Sequence, residues 1–302
     1  MKNFQELIKV AKERGPKTIS VACAQDKEVL LAVEAARKEG IAHAILVGDE
    51  PKIAEIAKEL SIDLSNYEVI DEKDLAMASR KAVELVSSGK AQMVMKGLVD
   101  TSIILKAVLD KEIGLRTGNA LSHVAVFDIE GYDRLFLLTD AAMNIAPDLK
   151  TKVQIIENAC QIAHSLDIEC PKVAVLAAKE KVDEKMPPTV DAKALEDMNK
   201  NGEIKGCMVG GPFALDNAVS EEAAKHKGME HPIAGKADIL LVPNIESGNV
   251  LYKSMVFFAR GKNAGLIVGA KAPIVLTSRA DSDETKLNSI ALGVLAASKI
   301  YG

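Results

Sequence analysis

The residues best suited to chemistry are Ser278 and Arg279, in the stretch APIVLTSRADSDETK (272–286). It reads as a buried strand, a polar turn and the start of a helix. Such a turn faces unpaired backbone N–H groups and the positive end of a helix dipole, and so suits an anion. Arg279 adds a planar, two-pronged partner for phosphate. A plainer explanation competes, because Asp281, Asp283 and Glu284 also complement a helix N-terminus and Ser282 is a good N-cap. On residue chemistry alone the anion site and the simple cap stand level.

Other polar clusters also follow apolar runs. VPNIESGNVLYKS (242–254) gathers Asn244, Glu246, Ser247, Gly248 and Asn249 where a strand should end, and MKGLVDTSIILK (95–106) passes from Lys96 and Gly97 to a helix opened by Thr101 and Ser102 and carrying Lys106. In GGPFALDNA (210–218), Gly210 and Gly211 permit close backbone approach. Open α/β sheets bind ligands beyond the carboxyl ends of their strands, although turn chemistry alone also collects Asn, Ser and Gly. No P-loop, dinucleotide-binding glycine pattern, HExxH or GxSxG stands beside them. His43, His123, His164, His226 and His231 lack metal-ligand spacing and read as structural or surface residues. Cys23, Cys160, Cys170 and Cys207 form no CxxC pair, so they read as reduced, mostly buried thiols, with Cys207 a packed core thiol and no metal site.

The elements that position these clusters show as alternating apolar runs and amphipathic stretches. TISVACA (18–24), AILVG (44–48), YEVID (67–71) and AQMVMKG (91–97) read as strands, and Lys27 to Glu39 and Asp74 to Ser88 as helices between them. That is an α/β pattern with a largely parallel sheet. HVAVFDI and RLFLLTD, joined by EGYD, predict an antiparallel hairpin near a domain junction. After a helix over 148–167 the alternation resumes with strands at 171–178, 204–211 and 237–244, then 265–270 and 272–278, and ends in a helix from Asp283 to Ile300. The expected division is a first α/β domain of residues 1–138 plus 267–302 and a second of 139–266.

A chain of 302 residues exceeds the size at which one core stops growing, about 250 to 300 residues, so two domains are expected. A net charge of −5 argues against nucleic acid and anionic membrane as partners, and 3% aromatic residues with no Trp offer no base-stacking surface. The N-terminus MKNFQELIKVAKERG lacks the apolar core of a signal peptide, and no segment approaches a membrane span. A cytoplasmic protein is the expectation.

Taken in order, KGLVDTS (96–102), TDAAMNIAPD (139–148), GGPFALDNAV (210–219), PNIESGNVLYK (243–253) and TSRADS (277–282) give the chain a resemblance to the phosphate acetyl/butyryl transferase family along nearly its whole length. The wording is closer to its butyryl-transferring members. Acetyl-transferring members carry a His-Thr-Thr-like run followed by Leu-Arg-Pro, whereas Asp100-Thr101-Ser102 and then Leu105-Lys106-Ala107 stand here. The resemblance implies two α/β/α domains with mostly parallel sheets and an active site in the cleft between them. It also implies a homo-oligomer, acyl-CoA and inorganic phosphate as partners, no tightly bound cofactor, and the reaction of butanoyl-CoA with phosphate to give butanoyl phosphate and CoA. Ser278 and Arg279 inherit the reacting centre. The family's candidate base falls by ungapped count on Thr285, which leaves Asp281 and Asp283 as the nearest carboxylates. Substrate contacts are implied at Lys96, Thr101, Ser102, Asn144, Asn244, Ser247, Gly248 and Asn249, and at Lys106, where the family's phosphate-side arginine falls.

No Ser-His or Cys-His pair is visible, so direct transfer in a ternary complex is expected. Rival readings are an acetyl or branched-chain acyl preference, a decarboxylating hydroxy-acid dehydrogenase, for which no acidic metal cluster stands out, and a two-lobed binding protein without chemistry.

Overall fold

The computed structural model of the protein describes residues 1–277 and 281–301, the last two by backbone only. The chain begins with α1 (Phe4–Arg14), β1 (Lys17–Ala22), α2 (Lys27–Lys38), β2 (Ala42–Gly48), α3 (Glu50–Glu59), β3 (Glu68–Asp71), α4 (Leu75–Ser87), β4 (Met93–Lys96) and α5 (Thr101–Val108). It continues with β5 (Ser122–Asp128), β6 (Phe136–Thr139), α6 (Leu149–Ser165), β7 (Lys172–Leu176), α7 (Pro187–Lys200), β8 (Met208–Phe213), α8 (Leu215–Val219), α9 (Glu221–His226), β9 (Ile239–Leu241) and α10 (Ile245–Phe257). It closes with β10 (Lys262–Val268), β11 (Ile274–Val275) and α11 (Asp283–Tyr301).

Two compact units result, one of Asn3–Asn119 with Asn263–Gly302 and one of Ala120–Lys262 with Met1–Lys2. In the first unit the strands run β3-β2-β1-β4-β11-β10, parallel except for β10. The central strands are buried on both faces, as their uninterrupted apolar runs require. In this unit α1 and α2 both pack on α11, while α4 packs on β1 and β2 and against α5. In the second unit the order is β5-β6-β9-β7-β8, parallel except for β5. Its core stacks Phe127 on Phe136, ring centroids 5.8 Å apart, and sets Tyr252 of α10 edge-on to Phe127 at 5.4 Å. Each such ring removed from water contributes about 1.5–3 kcal/mol.

Asp, Asn and Ser side chains start many of the helices. Asp26, Asp49, Asp74, Asp148, Ser220 and Asn244 each accept a backbone N–H from the first turn that follows. Such a cap is worth about 1 kcal/mol.

Some details differ from the sequence reading. The β5–β6 hairpin belongs to the second unit, because β6 pairs in parallel with β9, so the boundary falls at residue 119 rather than 138. β8 starts later than 204 and runs on past the Gly210-Gly211 pair to Phe213. A Cβ on Gly211 would stand 3.0 Å from the Cβ atoms of both Ala192 and Val175, so the glycine lets α7 and β7 close on β8. Cys160 and Cys207, far apart in sequence, are hydrogen-bonding neighbours. Cys160 is buried and its thiol is pushed up by that bond and by burial, whereas Cys207 is only half-buried and Cys170 is exposed.

Candidate active site

In the second unit the structure gathers one cluster of the expected residues around the loop after β6. Asp140, 3% exposed, accepts from the backbone N–H groups of Ala142 at 3.0 Å, Met143 at 3.0 Å and Asn144 at 3.1 Å. The Asn144 amide donates to Asp140 Oδ2 at 2.6 Å and to the Leu121 carbonyl at 2.8 Å. Both N–H donors of the Asn144 side chain are thus spent on building the loop.

α10 is docked onto this loop. Asn244 caps the helix, its Oδ1 accepting from Ser247 N at 3.0 Å and from Ser247 Oγ at 2.8 Å. Ile245 N–H donates to the Ile145 carbonyl at 3.0 Å, and Asn249 Nδ2 to the Ala141 carbonyl at 3.4 Å. Gly248 is where the two pieces touch. A Cβ there would lie 2.7 Å from Val242 Cγ2 and 2.8 Å from the Asp140 carbonyl. Gly248 and Asn249 therefore fasten the helix, and Asn244 with the exposed Ser247 presents its polar N-terminus.

In the first unit the expected residues lie along the passage from β4 to α5. Lys96 is 6% exposed and its ammonium donates to the carbonyls of Gly97 and Val99, both at 3.2 Å, shaping the loop that leads into α5. The loop leans on the end of β1, where Gly97 N–H and Leu98 N–H donate to the Ala22 and Cys23 carbonyls, each at 2.8 Å. Cys23 sits there in the left-handed region with φ of 57°, and burial pushes its thiol up to about 11, which makes it a poor nucleophile.

Thr101 and Ser102 open α5 with no side-chain cap from Asp100. Ser102 and Lys106 line a hollow of about 390 Å³ between α4 and α5, together with Met77, Arg80 and Asp110. Arg80 is held by Asp110 at 2.8 Å and Glu112 at 3.4 Å, whereas the Lys106 ammonium has no partner among the described residues.

Ser278 and Arg279 lie outside the described residues. Of the residues that follow, Asp283 is exposed on the first residue of α11 and Asp281 is half-buried. Ser282 caps the helix, its Oγ accepting Thr285 N–H at 3.2 Å and meeting Thr285 Oγ1 at 3.3 Å. Thr285, which stands where the family's candidate base was counted, thus has both its N–H and its hydroxyl turned to Ser282. Lys286 is 3% exposed and its ammonium donates to the Asp281 carbonyl.

The sequence reading passed over Asp140, Arg80 and Lys286. Asp140 had a local signal, an aspartate followed within four residues by N–H groups that need an acceptor. Arg80 and Lys286 had none, because their neighbours come from other turns or other elements. Among the described residues no group of three His, Cys, Asp or Glu side chains is placed to hold a metal ion, and no helix is long and apolar enough to cross a membrane.

These loops gather polar groups beyond the carboxyl ends of parallel strands, the layout of an α/β enzyme acting on small molecules. The phosphate acetyl/butaryl transferase family matches residues 3–80 and 72–294, and the chain belongs to that family. It is 56% identical over 298 residues to a phosphate butyryltransferase of Clostridium beijerinckii, covering 99% of both chains. It is 46% identical over 294 residues to a phosphate acetyltransferase of Thermotoga maritima, 97% of this chain and 99% of that one. Among solved structures, a branched-chain phosphotransacylase from Enterococcus faecalis superposes with a TM-score of 0.83 at 39% identity, over 93% of this chain and 99% of that one.

Proposed function

We propose that the protein catalyses the reversible reaction of butanoyl-CoA with inorganic phosphate to butanoyl phosphate and CoA, in the cytoplasm, as a homo-oligomer, with CoA as substrate and no tightly bound cofactor. The observation that carries this is the match at 56% identity along 99% of both chains to a phosphate butyryltransferase.

The chemistry follows from the residue types. A phosphate oxygen attacks the thioester carbonyl, the C–S bond breaks and CoA leaves as its thiolate. Arg279 and the N–H groups at the start of α11 hold the phosphate, with Lys106 as a further cation. Ser278 donates to the carbonyl oxygen or the leaving sulfur as charge develops. Asn144, Asn244, Ser247 and the Thr101–Ser102 turn orient the thioester, while Lys96, Gly248 and Asn249 keep their loops in place. Because Thr285 offers no carboxylate, proton transfer in the reverse direction falls to Asp281 or Asp283. A thiol of pKa about 8.5 needs only modest help to ionise. The similarity to a branched-chain phosphotransacylase supports branched short acyl groups as a second substrate set.

The test is thiol release from butanoyl-CoA with and without phosphate. Phosphate-dependent release is expected, and its absence for every acyl-CoA from acetyl to the five-carbon thioesters would remove the reading.

A further inference from the structure

The second unit holds a cavity of about 340 Å³ that none of the shared motifs explains as a whole. It lies over the carboxyl ends of three adjacent strands. Leu176 and Ala177 come from the end of β7, Leu215 follows β8, Val242 follows β9, and Met186 and Leu251 also line the cavity. Carboxyl ends of parallel strands are where such sheets take ligands, and the volume falls in the range of about 300–1,000 Å³ typical of small-molecule sites.

The walls say what kind of ligand fits. No charged side chain lines the cavity. Its two hydroxyls are both committed. Thr189 Oγ1 donates to the Met186 carbonyl at 2.8 Å and accepts from Asp183 N–H at 2.8 Å. Ser247 Oγ donates to Asn244 Oδ1 at 2.8 Å. The Ala177 N–H is taken by the Phe213 carbonyl at 2.8 Å, and Pro188 and Pro243 have no N–H to give. A nucleobase, an amide or a phosphate placed here would leave water without replacing its hydrogen bonds. A hydrocarbon loses nothing. The polar end of α10, with Asn244 and Ser247, borders the cavity, so a ligand with an apolar tail and a polar head finds each beside its match.

We infer that this cavity binds the acyl chain of the substrate and sets chain-length preference. The inference rests on the acyltransferase reading above. The pantetheine arm of CoA carries amides, so the acyl tail is the purely apolar part of the substrate. A two-carbon acyl group leaves most of the cavity unfilled, whereas four- and five-carbon chains, straight or branched, reach its Leu176, Val242 and Leu251 walls.

The experiment measures phosphate-dependent thiol release from acetyl-, butanoyl- and 3-methylbutanoyl-CoA by the wild type, Ala177→Leu and Leu251→Ala. Ala177→Leu narrows the cavity, and the butanoyl-to-acetyl ratio of kcat/KM is expected to fall by about 10-fold or more. Leu251→Ala widens it, and the 3-methylbutanoyl-to-butanoyl ratio is expected to rise by about 5-fold or more. Ratios that stay at wild-type values, or move the other way, in variants folded by circular dichroism overturn the pocket while leaving the acyltransferase reading intact. No release by the wild type from any of the three thioesters removes that reading and the pocket with it. Should Ala177→Leu fail to fold, the Leu251→Ala ratio decides.

Discussion

Asp140 holds Asn144 twice, through the backbone N–H at 3.1 Å and the side-chain amide at 2.6 Å. With two more N–H groups on the same buried carboxylate, this one side chain organises the loop on which α10 rests. Asp140→Ala strands those donors, each costing about 1–3 kcal/mol where it stays buried. The expected outcome is a loss of about 3 kcal/mol or more in urea unfolding, with reduced thiol release. Asp140→Asn should keep part of both, since one oxygen can still accept. Wild-type stability in Asp140→Ala would show that the loop is held by other means.

Gly248 tests the same junction from the helix side. A Cβ there meets backbone at the Asp140 carbonyl as well as the Val242 side chain. Backbone cannot turn aside as a side-chain end can, so Gly248→Ala must shift α10 or its loop. A destabilisation of about 1–3 kcal/mol is expected by thermal or denaturant unfolding, although alanine is the better helix former. An unchanged or raised melting temperature would refute it.

Arg279 is the residue on which the proposed chemistry depends most. Arg279→Ala is expected to lower kcat/KM for phosphate-dependent thiol release by an amount comparable to losing one oxyanion donor, about 3–4 kcal/mol. Arg279→Lys should recover only part, because lysine restores the charge without the planar fork. A folded Arg279→Ala variant of near-normal activity would sink the assignment.

How far the sequence reaches differs between frame and site. The central strands such as β1 and β4 are legible because they are mostly apolar runs, and many helix starts because they have a capping residue, such as Asp26, Asp148 or Asn244. Gly210 and Gly211 fall in the expected strand, but why glycine stands at 211 shows only in three dimensions, where a Cβ would crowd Ala192 and Val175 at 3.0 Å. The position of Asn144 is readable from its motif, but its use is not, because nothing local says that Asp140 and the Leu121 carbonyl consume its amide. Thr285 marks the opposite case. The sequence shows that a carboxylate is missing there, and the structure supplies what replaced it, a hydroxyl paired with Ser282.

The first unit carries a pH-dependent element away from these loops. Glu34 on α2 accepts from Arg37 at 2.9 and 3.0 Å and from the Tyr67 hydroxyl at 2.5 Å. These donors, the Arg37 guanidinium foremost, hold its carboxyl down to about 2 against the opposing effect of burial. A carboxylate bound more tightly in the folded state stabilises fully above its unfolded pKa of about 4.3. That contribution, of the order of 2 kcal/mol after screening, is lost as pH falls from about 4.3 toward 2. Glu34→Gln should flatten stability across that window in acid unfolding followed by circular dichroism. A slope equal to the wild type's would place the acid sensitivity elsewhere.

Lys286 separates stability from activity. Its ammonium is buried and its partner is a neutral carbonyl, that of Asp281, with no carboxylate paired to it among the described residues. A buried cation without a counter-ion costs folding energy, and one hydrogen bond returns only part of it. Lys286→Met keeps the apolar stem and drops the charge, so stability is expected to hold or rise by about 1–2 kcal/mol. Activity should move the other way. The tie from Lys286 to Asp281 anchors the segment that directly follows Ser278 and Arg279, and a buried positive charge there favours an arriving anion. The KM for phosphate is therefore expected to rise about 10-fold or more, the worth of one charge-assisted hydrogen bond. Steady-state kinetics at varied phosphate, beside urea unfolding of the same variant, reads both effects. A Lys286→Met protein that is less stable yet kinetically normal would make the lysine a purely structural anchor.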